Sequence, residues 1–152
     1  VKVVLDTNVL LAAFATRGLC EAVLATCLES HTVITSEHIL RELRRHLTGK
    51  LKVPARQADA TIAFLREQAE VVTPARVPSS ACRDRTDLAV LGTAVAAGAD
   101  CLVTGDRDLL DLETYGFQST LPRGERHADG AGRAVTIVTT ILSPRAFHER
   151  LR

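Results

Sequence analysis

The feature that most constrains this chain is its opening strand. Val3, Val4 and Leu5 follow one another without the polar alternation of a half-solvated strand. Such a strand is buried on both faces, which a parallel sheet covered by helices provides. The later order of segments agrees. Strand-like runs recur at "TVIT" (Thr32 to Thr35), "VVT" (Val71 to Thr73), "CLVT" (Cys101 to Thr104) and "AVTIVTTIL" (Ala134 to Leu142). Helical segments lie between them: "NVLLAAFA", "GLCEAVLATCLES", "SEHILRELRRHL", "PARQADATIAFLREQAE", "TDLAVLGTAVAAGA" and the short "RDLLDLETYG". Ser36 is placed to cap the third helix and Pro54 lies in the first turn of the fourth; Ser143 and Pro144 open a closing helix, "SPRAFHERL". Alternating strands and helices predict an α/β domain with a mainly parallel sheet.

With 152 residues, the chain is expected to form one domain, residues 1–152. An apolar content of 46% excludes a disordered chain. No apolar run approaches the roughly 18–20 residues that cross a bilayer, and Asp6 interrupts any signal-like segment, so the expected compartment is the cytoplasm. The net charge of +1 makes position, not total charge, the basis of any nucleic-acid argument. Cys20, Cys27, Cys82 and Cys101 lack the spacing of a zinc site or redox dithiol and read as small hydrophobes. One stretch departs from the compact scheme: "FQSTLPRGERHADGAGR", Phe117 to Arg133, reads as an inserted, exposed loop.

Polar chemistry collects at the ends of the apolar strands. Asp6, Thr7 and Asn8 follow the first strand, and Asp106 and Asp108 follow "CLVTG". Asp84 and Asp87 open the helix "TDLAVLGTAV", and Glu42 lies in "SEHILRELRRHL". Each has a structural explanation. Asp84, Asp87 and Asp106 suit helix N-termini, and Glu42, beside His38, Arg45 and His46, suits a solvated face. In open parallel sheets, however, strand ends form one rim, where ligands bind. Carboxylates about 4 Å apart repel by roughly 4 kcal/mol at an effective dielectric near 20. A cluster of them raises its pKa values or takes a hard cation.

"VLDTNVL", "SEHILRELRRHL", "DRTDLAVLGTAVAAGADCLVTGDRDLL" and "ILSPRAFHERL" together resemble the PIN-domain family, closest to the VapC-like toxins of toxin–antitoxin pairs. The resemblance covers nearly the whole chain and is most specific from Asp84 to Leu110. It implies a three-layer α/β/α fold and an endoribonuclease dependent on one or two Mg²⁺ or Mn²⁺ ions. The family's acids fall on Asp6, Glu42, Asp87 and Asp106, with Asp6, Asp87 and Asp106 as metal ligands. Glu42 completes the cluster or holds the attacking water. Thr7, Asn8, Asp84 and Asp108 take supporting roles. Relatives usually reach the last strand within a few residues, so the stretch around Leu121 to Arg133 is an insertion. The resemblance also implies an RNA substrate, a cognate antitoxin and a homodimer. Arg41, Arg44, Arg45, Lys50, Lys52 and Arg56 form a basic run, a solvated face unless it borders the acids, where Arg45 and its neighbours would contact phosphates.

Two other functions fit part of the pattern. A phosphohydrolase would use Asp6 as covalent nucleophile, but the general acid expected two residues on is replaced by Asn8. A non-catalytic RNA- or protein-binding module would have no use for the retained acids.

Overall fold

The computed structural model describes residues 1–82, 84–120 and 134–151; the side chains of 117–120 and 134–137 lie outside the description. Six strands form one sheet: β1 (Lys2–Leu5), β2 (Thr32–Thr35), β3 (Glu70–Val71), β4 (Cys101–Val103), β5 (Thr114–Thr120) and β6 (Ala134–Leu142). Their order is β3-β2-β1-β4-β6-β5. All neighbouring pairs are parallel except β5 with β6. The helices are α1 (Thr7–Ala15), α2 (Leu19–Ser30), α3 (Glu37–Gly49), α4 (Ala55–Gln68), α5 (Arg85–Ala97), α6 (Arg107–Leu110) and α7 (Pro144–Arg150). The expected α/β class with a mainly parallel sheet flanked by helices is what the chain adopts.

The sheet is built as the first strand requires. Val3, Val4 and Leu5 are fully buried, as are Ile34 of β2 and Leu102 and Val103 of β4. On α3, Ile39, Leu40, Leu43 and Leu47 are buried along the side that the sequence pattern marked. Ser36 caps this helix through its hydroxyl, which accepts from the Ile39 amide, and Ser143 caps α7 through the Ala146 amide. The four cysteines are free, with Cys27 in the core. Among the described residues, no single helix is long and apolar enough to cross a membrane.

The topology fixes where a site can form. The chain moves outward from β1 to β2 and β3, then returns to the other side of β1 as β4. The carboxyl ends of β1 and β4 therefore flank a switch point, the crevice where open α/β sheets bind ligands. α5 enters the same region. It packs so closely on the preceding segment that the Ala75 amide donates to the Gly92 carbonyl at 2.9 Å. A Cβ at Gly92 would press into the Ala75 carbonyl, so glycine is required there.

Two local readings are corrected. Pro54 precedes α4 as its N-cap and is not part of its first turn. The stretch read as a short helix to Gly116 and then a loop from Phe117 is helical only to Leu110; Thr114 to Thr120 form β5 and pair antiparallel with β6. A sheet-edge strand rich in small and polar residues lacks the apolar run that betrays a central one. Residues 121–133, the core of the expected insertion, lie outside the described residues.

Candidate active site

A cavity of about 220 Å³ lies at the switch point. β1 and α1 contribute Asp6, Thr7 and Asn8; α3 contributes Glu42 and Arg45; the start of α5 brings Asp84 and Asp87; Asp106 follows β4. Asp108 lines a neighbouring cavity, yet one of its carboxylate oxygens lies within 4.8 Å of oxygens of Asp87 and Asp106. The tightest acid group among the described residues is therefore Asp87, Asp106 and Asp108. It contains Asp108 where the expected ligand trio contained Asp6.

Capping explains how the acids are held. Asp6, Asp84 and Asp106 are the N-caps of α1, α5 and α6, accepting from the amides of Thr7, Thr86 and Asp108 at 2.7–2.9 Å. Asp87 sits one turn into α5, where the helix dipole favours negative charge. The capping and site readings of the sequence thus describe the same side chains. A carboxylate oxygen has more than one lone pair, so a capping bond leaves capacity for a further partner.

Thr104 links two of these acids. Its buried hydroxyl donates to Asp6 Oδ2 at 2.6 Å and accepts from the Asp106 amide at 3.0 Å. On the opposite wall, Glu42 Oε2 lies 2.8 Å from Arg45 Nη2 and 3.5 Å from His46 Nε2. Glu42 is therefore not on the open solvated face that its helical position also allowed. It faces the cavity alongside His38, Arg45 and His46.

The charges are poorly compensated on the strand-end wall. Burial, reinforced by the negative charges of Asp106, Asp6, Asp84 and Asp108, pushes Asp87 up to about 7. Its Oδ2 is buried without a hydrogen-bond partner among the described residues. Burial also raises Asp6, although hydrogen bonds from Thr104 and Thr7 oppose it. Asp84 is exposed, and its hydrogen bonds to Thr86 hold it below the usual carboxylate range. An orphaned buried oxygen and three converging carboxylates suit a hard divalent cation, which takes oxygen ligands. The donor set therefore fits a divalent metal ion of that kind.

Sequence reasoning did not select Thr104, His38 or His46 as site residues. A threonine after a strand has no local signature, and its partner Asp6 is 98 residues away. The histidines did carry a signal: they flank Glu42 at four-residue spacing, one turn away on the same helix face.

A family model described as "PIN domain" matches residues 2–108. No curated protein sequence matches the chain. Among solved structures, VapBC2 from Rickettsia felis, bound to a DNA fragment from its promoter, superposes with a TM-score of 0.55 at 16% identity. That alignment covers 73% of this chain and 92% of the other. VapBC-1 from nontypeable Haemophilus influenzae superposes with a TM-score of 0.51 at 18% identity, covering 70% and 87%. At these identities the likeness is one of fold.

Proposed function

The chain belongs to the PIN-domain family, whose members are typically nucleases, and we propose that it is a metal-dependent endoribonuclease acting as the toxin of a toxin–antitoxin pair. The observation that carries this reading is the convergence of Asp6, Glu42, Asp87 and Asp106 on one cavity at the switch point. The VapBC identity of the two solved neighbours supports the toxin assignment and a cognate antitoxin as partner. Residues 1–152 act as one domain in this reading, as a homodimer in the cytoplasm.

Asp87, Asp106 and Asp108 would hold a Mg²⁺ or Mn²⁺ ion, with Asp6 close by. When bound, such an ion makes a coordinated water more acidic and offsets charge on a phosphodiester. The remaining roles belong to the chain. Thr104 fixes the Asp6 carboxylate and the backbone of Asp106 relative to each other. Glu42, steadied by Arg45 and His46, holds the attacking water for in-line approach. Arg45 is well exposed and supplies a phosphate contact at the rim. Thr7 and Asn8 orient the substrate beside Asp6.

The test is cleavage of single-stranded RNA with Mg²⁺ or Mn²⁺ by the wild type, Asp6→Asn and Asp87→Asn. Cutting by the wild type alone is expected; equal cutting by all three would remove the assignment. Asn8 lines the cavity where a phosphohydrolase built on Asp6 would need an acid, so no phosphoaspartate is expected at Asp6.

A further inference from the structure

A second, larger cavity of about 550 Å³ opens beside the acids. Ser79, Ser80, Ala81 and Cys82, from the segment before α5, form one side. Asp108, Asp111 and Leu112, from α6 and the residues after it, form the other. Asp108 belongs to both places, since it also lies within the tight acid group. Whatever occupies this cavity is therefore the immediate neighbour of a phosphate placed on the acids.

The lining selects for chemistry. It includes two carboxylates, Asp108 and Asp111, which disfavour a second phosphate. Ala81 and Leu112 offer apolar contact, and the serine hydroxyls donate or accept. The volume falls within the roughly 300–1,000 Å³ of small-molecule sites. In an RNA strand, the uncharged group next to a phosphate is a nucleoside. A carboxylate only accepts hydrogen bonds, so it matches a base edge with adjacent donors. Guanine has that edge, N1–H beside the N2 amino group. The pairing edges of the other bases each offer a single donor group beside acceptors that a carboxylate repels. Asp111, the residue that closes α6, lines this cavity and is not part of the tight acid group.

We propose that this second cavity is a subsite for a guanine base adjoining the scissile phosphate, read by the Asp111 carboxylate. The proposal rests on the ribonuclease reading above and adds a sequence preference to it.

Isotope-labelled protein with Mg²⁺ is titrated with 5′-GMP, 5′-AMP, 5′-CMP and 5′-UMP while amide resonances are followed. GMP is expected to shift residues 79–82 and 108–112 and to bind about tenfold tighter than the others, within the range for one bidentate base contact. Asp111→Asn is expected to bring the four nucleotides to a common affinity. In parallel, cut sites in a random single-stranded RNA pool are sequenced, with guanine enriched on one side of the cut for the wild type and not for Asp111→Asn. Equal affinities, shifts elsewhere or cuts without guanine enrichment overturn the subsite and leave the nuclease standing. Selective GMP binding at these amides without any RNA cleavage overturns the nuclease and leaves a guanine site.

Discussion

The two walls of the acid cavity handle negative charge in opposite ways. On α3, Glu42 meets Arg45 and His46 one turn away, so the helix that carries the acid also carries a counter-charge, the Arg45 guanidinium. On the strand-end wall, Asp6 is held by a hydroxyl and an amide, and Asp87 is 6% exposed with an orphaned oxygen. One wall is electrostatically complete as folded. The other is held in a costly state that a cation from outside would relieve, and the fold keeps it there because capping and topology fix its carboxylates.

The strongest challenge to that contrast is Asp87→Asn. RNA cleavage is expected to fall on the order of 10²–10³-fold, as when a preorganised charge-stabilising group is lost. Calorimetric Mn²⁺ binding should weaken with it, and retained Mn²⁺ binding would break the comparison.

Proton linkage sharpens it next. The Asp87 carboxyl titrates near 7 in the folded protein, above its ordinary value of 3.8. Its neutral form is favoured by folding, so the metal-free protein has this stability in full below about 4 and loses it as pH rises through 7. Melting temperatures in EDTA should fall from pH 5 to pH 8, with a slope of at most about 1.4 kcal/mol per pH unit for this one proton. Asp6 shifts the same way and adds to the trend. Asp87→Asn should flatten the curve, and Mg²⁺ should stabilise more at pH 8 than at pH 5.

Thr104→Val has a smaller effect on the same wall. It leaves a buried Asp6 oxygen without its donor, at about 1–3 kcal/mol of stability by chemical denaturation. Metal affinity should drop roughly 10–100-fold, the usual range for a group supporting a ligand. Thr104→Ser, which retains the hydroxyl, should recover most of it. On the other wall, Arg45→Ala should change stability by only about 0.2–1 kcal/mol, because its ion pair is exposed. It should act instead on KM for RNA.

How far the sequence revealed this molecule depended on whether the signal was local. β2 and β6 were legible to the residue, because runs of Val, Ile and Thr favour strand and admit few alternatives. Caps such as Ser36, Asp84 and Ser143 were legible because the hydroxyl or carboxylate bonds an amide two or three residues on. Asp6 and Asp106 were legible together because strand ends share one rim, and Glu42 and Asp87 joined them through the family resemblance. Thr104 was not, since its role exists only once β4 lies beside β1. Asp108 was assigned a supporting role, and only the short α6 turns it toward Asp87. β5 was missed because "TYGFQST" gains its strand character from pairing with β6.

The bond from Thr104 to Asp6 joins residues made at different times. A ribosome adding about 5–20 residues per second exposes Asp6 roughly 5–20 s before Thr104. Through the middle of that interval the growing chain has Glu42 and Arg45 but neither β4 nor Asp106. A product that stops short of Thr104 carries half a site. The hydroxyl acts as a closing clasp, and the acid cavity comes into being only when translation has passed it.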